Sequence, residues 1–151
     1  MQQRLARQLV LDYLDAFYTG DVLRALDCCD DEIDSITYAP VELFPHLGHK
    51  HGKAWVVEAI RIQQERYLTR RYELAFIAVD GLKIATMQRL FMQKRNDQRL
   101  VQFDLAEFFT LRTGRIIQHR SFFDSFDLIQ QLLGRDLTDA FGTIVQGAMR
   151  T

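Results

Sequence analysis

Residues 103–124 read FDLAEFFTLRTGRIIQHRSFFD, and this stretch predicts two antiparallel strands joined by a tight turn at Thr113-Gly114. The spacing favours a three-residue loop in which Gly114 takes the left-handed conformation. Residues directly opposite each other then share a face, and a slip of one residue would turn them to the other side. In this register the pairs on one face are Phe109 with Ile117, Glu107 with His119, Leu105 with Ser121 and Phe103 with Phe123.

This predicted face is apolar except at its centre, where Glu107 and His119 are neighbours and Gln88 lies one strand further. An ionisable group among phenylalanines needs a physical reason, because burying it without partners is costly. A carboxyl and an imidazole held in an apolar cavity can serve as acid, base or hydrogen-bond donor. Buried Glu–His pairs also occur as satisfied core networks, so both explanations remain open.

The opposite face of the predicted sheet is mixed. A two-residue turn at Asn96-Asp97 places Arg89 across from Asp104 on this side, where opposite charges help the pairing. The same face carries large apolar side chains that exceed what a monomer normally shows to water. They are Met87, Phe91, Phe108 and Phe122. We therefore expect a homodimer built through the outer sheet face.

The first half of the chain predicts helices. Leu5, Leu9, Tyr13, Leu14 and Phe17 recur at helical spacing and form one apolar stripe. Gly20 ends this helix, and Asp21 can cap a second one that runs to about Cys28. A short strand over 33–40, a loop over 41–52 and a third helix over 53–67 follow.

The second half predicts a β-meander followed by helix. The strands cover 71–79, 82–94, 99–111 and 115–123, and turn residues lie between them. Asp124 or Ser125 can cap a helix that Gly134 ends, and a further helix covers 137–149. The chain is thus predicted to be a single α+β domain over 1–151. A curved antiparallel sheet wraps around N-terminal helices in a cone-shaped, cystatin-like roll.

Composition excludes several classes of partner. The 19 basic and 20 acidic residues leave a net charge of −1, which cannot hold a polyanion, so no nucleic-acid partner is expected. No apolar run approaches the length of a membrane span, and the N-terminus resembles an amphipathic helix more than a signal peptide. We predict no membrane association and a cytoplasmic location. The adjacent Cys28 and Cys29 fit neither a disulfide framework nor a zinc site, and small buried side chains explain them better.

Three histidines, His46, His49 and His51, lie within six residues. This density suggests a metal site, but no cysteine or carboxylate pattern accompanies it, so no metal is predicted. The surrounding loop is expected to cover a pocket, with one of the histidines reaching the ligand.

The order of these elements resembles the nuclear-transport-factor-2-like (NTF2-like) superfamily. The motif YLDAFYTGD (13–21) precedes a strand, Pro40 and a helix that begins after Gly52. The ending TGRIIQHRSFFDSFDLIQQLLG (113–134) is similar to the SnoaL-like branch. The resemblance covers about residues 5–134 and implies a cone whose mouth takes a small hydrophobic molecule. Its motifs are diffuse, so it indicates fold more than activity.

Ketosteroid isomerase is the closest enzymatic comparison within that superfamily. Tyr13 matches the tyrosine of its oxyanion hole, and Glu107 matches its protonated acid. The general base of that family is an Asp immediately before a proline, and here Ala39 occupies the position. His119 offers a replacement base. Limonene epoxide hydrolase has an Asp where this chain has Ser121, so its water-activating carboxylate is absent here. SnoaL-type cyclases close a ring by an aldol step with a carboxylate or histidine in the cavity. Of the three chemistries, this one best tolerates the Glu107–His119 pair.

The resemblance implies an isomerase or cyclase that acts on a hydrophobic carbonyl compound without a cofactor. Tyr13, Glu107 and His119 are the predicted catalytic residues. The predicted ligand contacts are Tyr38, His49, Trp55, Gln88, Phe103, Phe109, Ser121 and Phe123. Two alternatives stay open: a binding protein without turnover for a hydrophobic metabolite, and a dimerisation scaffold whose cone is filled by side chains.

Overall fold

The computed structural model describes residues 2–150, which form five helices and six strands. The helices are α1 (Gln2–Thr19), α2 (Val22–Asp27), α3 (Lys53–Arg66), α4 (Ser125–Leu133) and α5 (Thr138–Met149). The strands are β1 (Cys29–Tyr38), β2 (Gly48–His51), β3 (Tyr67–Asp80), β4 (Lys83–Lys94), β5 (Leu100–Arg112) and β6 (Arg115–Phe123).

All six strands form one sheet in the order β2-β1-β6-β5-β4-β3. Strands β1 and β6 run parallel, and the remaining neighbours are antiparallel. Register shifts interrupt the pairing of β3 with β4, of β5 with β6 and of β1 with β6. Such bulges bend the strands, and the sheet curves around α1 and α3 without closing. The predicted α+β architecture is confirmed.

The register of β5 and β6 differs from the prediction but keeps the faces. Arg112 pairs with Arg115, so Thr113 and Gly114 alone form the turn, with φ of 49° and 75°. Ile117 is then an extra residue in β6, because Leu111 pairs with Ile116 while Thr110 pairs with Gln118. The shorter turn and the bulge together shift the pairing by two residues. A shift of two returns every side chain to its original face.

The inner face of the sheet packs on α1 and α3. The buried side chains of α1 are Ala6, Val10, Tyr13, Leu14, Ala16 and Tyr18. Leu5, predicted on the buried stripe, is 65% exposed, and the neighbouring Ala6 takes the buried position at this end of α1. From α3, Val56 and Ile60 join the same core, which also takes Phe109 and Ile116 from the sheet.

The helix caps predicted from the sequence are present in the structure. The side chain of Asp21 accepts a hydrogen bond from Arg24 N at 3.2 Å, and that of Asp124 accepts one from Asp127 N at 3.0 Å. Gly134 ends α4 in the left-handed conformation. Helix α5 has no buried residue, although Phe141 contacts Phe126 with ring centroids 5.7 Å apart.

The sequence analysis misplaced the starts of two strands and missed a third strand. Strand β1 begins at Cys29, four residues before the expected start, and β3 begins at Tyr67. Strand β2 lies inside the expected loop and pairs with β1, for example through Ile36 and His49.

Within residues 2–150, no helix is both long and apolar enough to cross a membrane. Cys28 and Cys29 are buried, as expected, and burial raises their pKa values to about 11 and about 12.

Candidate functional site

A cavity of about 500 Å³ lies between the concave face of the sheet and helices α1, α3 and α4. Its floor consists of buried side chains from α1, β5 and β6, among them Tyr13, Glu107 and Ser121. Its mouth is lined by exposed residues at the end of α3 and after β4, among them Arg66 and Arg95. The cone is therefore not filled by side chains.

A chain of hydrogen bonds crosses three strands at the floor. Thr86 Oγ1 donates to Gln88 Oε1 at 2.8 Å, and Gln88 Nε2 donates to Glu107 Oε1 at 2.5 Å. The second carboxylate oxygen, Oε2, is hydrogen-bonded to His119 Nε2. Ser121 Oγ lies 3.1 Å from the same nitrogen. All five groups are thus held in one ordered network.

The network has a defined polarity. Thr86 bonds the amide oxygen of Gln88, so the amide NH₂ group points to Glu107. A carboxylate accepts hydrogen bonds and does not donate them, so a carboxylate at position 107 pairs with the His119 tautomer that carries its proton on Nε2. In a neutral imidazole the other nitrogen, Nδ1, is then an acceptor. This tautomer can take up a proton at Nδ1.

Aromatic rings fix the orientation of His119. Its imidazole stacks on Phe109 with centroids 4.9 Å apart and an interplanar angle of 21°. The ring of Tyr13 meets it edge-on at 6.2 Å. Phe109 is itself 1% exposed and packed in the core. The imidazole is therefore held by packing as well as by hydrogen bonds, as a preorganised site requires.

Two phenols face the cavity near Glu107. Burial, followed by nearby Cys29 and Glu107, raises the pKa of Tyr13 well above its ordinary value. Burial and then Glu107 likewise raise the pKa of Tyr18. Both side chains stay protonated and can donate hydrogen bonds. Sequence reasoning missed Tyr18, although its position four residues after Leu14 would have placed it on the buried stripe.

Most predicted site residues lie around this cavity. Its wall includes the predicted residues Tyr13, Trp55, Phe103, Glu107, His119, Ser121 and Phe123. Gln88 and Phe109 are buried behind the wall and contact Glu107 and His119 respectively. Neither of the two is part of the cavity wall.

Tyr38 and His49 were expected to contact a ligand, and both lie outside the cavity. Side chains alternate along β1, and Thr37 faces inward, so Tyr38 faces outward, where it is 47% exposed and stacks on Phe122. His49 lies on the edge strand β2 and binds Asp34 Oδ1 at 2.5 Å. That hydrogen bond, followed by one from Arg120, lowers the pKa of Asp34.

Of the three loop histidines, His46 is the one that reaches the cavity. Its Nδ1 is buried and has no hydrogen-bond partner among residues 2–150, and the same holds for Gln63 Oε1, also in the cavity wall. Burial, and then the charges of Arg66 and Lys50, lower the pKa of His46. His51 instead pairs with Glu32 at 3.2 Å. In the part of the chain that is described, no three potential metal ligands cluster together.

Solved structures share this architecture along almost the whole chain. A putative isomerase from Rhodopseudomonas palustris is 27% identical with a TM-score of 0.77, and the match covers 89% of this chain and 100% of that one. An NTF2-like protein of unknown function from Burkholderia pseudomallei is 18% identical with a TM-score of 0.76, covering 84% of this chain and 96% of that one. The chain has the NTF2-like fold. The fold inferred from the sequence is thereby confirmed.

The same fold occurs in a solved structure described as SnoaL-like. A putative SnoaL-like polyketide cyclase from Jannaschia is 15% identical with a TM-score of 0.75, covering 86% of this chain and 92% of that one. No family model matches the sequence, and no curated protein matches it. Function must therefore be argued from the site.

Proposed function

We propose that the chain is an enzyme that moves a proton next to the carbonyl group of a hydrophobic compound, with isomerisation or aldol cyclisation as the outcome. The hydrogen-bonded Glu107–His119 pair at the floor of an open, mainly apolar cavity carries this proposal. A hydrophobic ligand would fill the cavity and exclude water from the pair, which strengthens every electrostatic interaction there.

His119 is the proposed general base. Glu107 holds its Nε2–H, so Nδ1 can accept a proton from the carbon beside the carbonyl. The electrons of the broken C–H bond move toward the carbonyl and form an enolate. In an isomerisation the imidazolium returns the proton to another carbon. In a cyclisation the enolate carbon attacks a second carbonyl, and the imidazolium gives its proton to the alkoxide that forms. Neither the isomerisation nor the cyclisation requires a cofactor.

Tyr13 is the proposed donor to the enolate oxygen. Its raised pKa keeps the phenol protonated while negative charge develops on the substrate. A donor fixed in place before the reaction stabilises that charge without reorganisation. Tyr18 lies in the same wall and could share this role only where the substrate oxygen reaches it.

Glu107 takes a different role from the one suggested by ketosteroid isomerase. That comparison casts it as a neutral donor to the oxyanion. Both of its oxygens are engaged, one by Gln88 and one by His119, so neither is left for a substrate oxygen. We assign Glu107 to orienting His119 and stabilising the imidazolium, as carboxylates do in catalytic triads.

A binding protein without turnover is the second candidate. Ala39 stands where the ketosteroid isomerase family has its base, and the Thr86–Gln88–Glu107–His119 network is internally satisfied. The same cavity would then hold a hydrophobic metabolite. Such a protein fits the cytoplasmic location expected from the sequence, which cell fractionation would test.

A thermal-shift screen of cyclic ketones, terpenoids and polyketide-like compounds identifies ligands without presupposing turnover. Product analysis on each hit then separates the candidates. Under the enzyme proposal a hit is converted, and His119→Gln binds it but does not convert it. Tight binding without any product from any hit would favour the binding protein.

A further inference from the structure

Two buried polar atoms stand out in the part of the cavity wall that includes His46 and Gln63. Among the described residues, His46 Nδ1 and Gln63 Oε1 are the buried side-chain atoms that have no hydrogen-bond partner. Leaving such an atom unsatisfied is costly, and native structures rarely do so without a reason. Both residues line the cavity, so a ligand could supply the missing partners.

Both residues lie near Arg66, which lines the mouth of the cavity. Gln63 and Arg66 are three residues apart in α3 and therefore share a helix face. Arg66 is close enough to His46 for its charge to lower the pKa of that imidazole. The ring of Phe44 lies 6.3 Å from the imidazole of His46 and 6.3 Å from the ring of Phe123, and all three residues line the cavity. Aromatic rings thus separate this polar end from the Glu107–His119 floor.

The chemistry of the two atoms selects the group that fits. Gln63 Oε1 is an acceptor and requires a donor. A neutral imidazole offers one N–H and one acceptor nitrogen, and Nδ1 can carry the proton. A hydroxyl group donates one hydrogen bond and accepts others, so it can satisfy Gln63 and His46 together. A carboxylate has no proton to donate, and its negative charge would be repelled by the amide oxygen of Gln63.

We propose that His46 and Gln63 form a recognition subsite for a hydroxyl group at the end of the substrate remote from its reacting carbonyl. This inference rests on the proposed function in taking the cavity as the ligand site. The substrate class becomes a hydrophobic hydroxy-ketone, with its carbonyl at the floor and its hydroxyl at the mouth.

A matched pair of ketones tests the subsite in the unmodified protein. The probes are 4-phenylcyclohexanone and 4-(4-hydroxyphenyl)cyclohexanone, which differ by one hydroxyl at the end opposite the carbonyl. We expect the hydroxylated ketone to bind about tenfold more tightly, equivalent to about 1.4 kcal/mol. Hydrophobicity alone would favour the other compound, so the preference would report specific recognition.

Variants assign the preference to named side chains. Gln63→Leu and His46→Phe should each bring the two dissociation constants close together while binding of 4-phenylcyclohexanone persists. Gln64→Leu and His49→Phe are matched controls outside the cavity wall and should keep the tenfold preference. Equal affinity of the unmodified protein for both ketones, or no binding of either, would overturn the inference.

A third probe and a second measurement distinguish failure of the hydroxyl subsite from failure of the proposed catalysis. Tighter binding of 4-(4-oxocyclohexyl)benzoic acid than of the phenol would assign the mouth to anions through Arg66 and overturn the hydroxyl proposal. Exchange of the protons beside the ketone with D₂O reports chemistry at the floor. Hydroxyl preference without exchange rejects only the proposed catalysis, and exchange without the preference rejects only the subsite.

Discussion

Glu107 and His119 are hydrogen-bonded although they do not lie opposite each other in the sheet. Glu107 pairs with Ser121 and Phe109 pairs with His119, so the carboxylate and the imidazole are diagonal neighbours. The diagonal leaves Phe109 beneath the imidazole and Ser121 beside its Nε2. The bulge at Ile117 thus positions the candidate base.

Replacing Glu107 by Gln should slow the reaction strongly and leave ligand binding intact. The amide can no longer hold the tautomer or stabilise the imidazolium, so we expect kcat to fall by about 10²–10⁴-fold, the range for acid–base groups. The measurement is steady-state turnover of a substrate found by screening.

Asp104→Asn is the matched control for that substitution. Asp104 lies on the same strand but faces outward, where it binds Arg89 at 3.0 Å. An exposed pair of this kind contributes little to stability and should not affect kcat. A loss of stability in Glu107→Gln with unchanged kcat would instead identify the pair as a core network.

Tyr13→Phe removes the proposed oxyanion donor while keeping the ring in the core. Loss of one such donor typically costs about 10²–10³-fold in kcat. KM should change little, because the hydrogen bond strengthens only as charge develops. Tyr72→Phe is the control, since Tyr72 bonds Asp15 outside the cavity wall. Equal effects of the two substitutions would contradict the role assigned to Tyr13.

Stability should fall on acidification partly through His46. Burial holds its folded-state pKa below the ordinary 6.5, so the unfolded chain binds a proton that the folded chain resists. This contribution is complete above about pH 6.5 and is lost as pH falls below it. Urea unfolding between pH 7.5 and 5 should show a shallower decline for His46→Phe. An identical decline in both proteins would reject this cause.

The outer sheet face should mediate a homodimer. Phe108 and Phe122 are 47% and 43% exposed, and the ring of Phe122 contacts those of both Phe108 and Tyr38. Analytical ultracentrifugation should give a dimer that Phe108→Arg converts to a monomer. Phe141→Arg, at a comparably exposed residue on α5, should remain dimeric. A monomer at high concentration of the unmodified protein would rule out this interface.

The sequence was sufficient for the fold class and for the faces of the central strands. Alternation along β5 and β6 kept Glu107 and His119 on the inner face even though their pairing was two residues off. Turn residues alone did not reveal the bulge at Ile117, because an extra residue leaves no apolar signature. Arg89 does lie opposite Asp104, yet β4 and β5 are separated by five residues, 95–99, of which Arg99 still accepts a hydrogen bond from Lys94 N.

The hydrophobic pattern of the sequence did not predict β2, which is a short and polar strand. Strand β2 reads Gly-His-Lys-His and offers no hydrophobic alternation, so its pairing with β1 was not foreseen. That pairing places His49 beside Asp34 and leaves His46 to reach the cavity. Gln63 escaped notice because a glutamine in an amphipathic helix normally faces water.

The most direct test of the central claim follows proton exchange in a bound ketone. NMR in D₂O would monitor the protons beside the carbonyl of 4-(4-hydroxyphenyl)cyclohexanone, with binding measured in parallel. The account predicts that the unmodified protein accelerates exchange and that His119→Gln binds the ketone but does not accelerate it. Acceleration that persists in His119→Gln, or a bound ketone that exchanges no faster than in buffer, would contradict it.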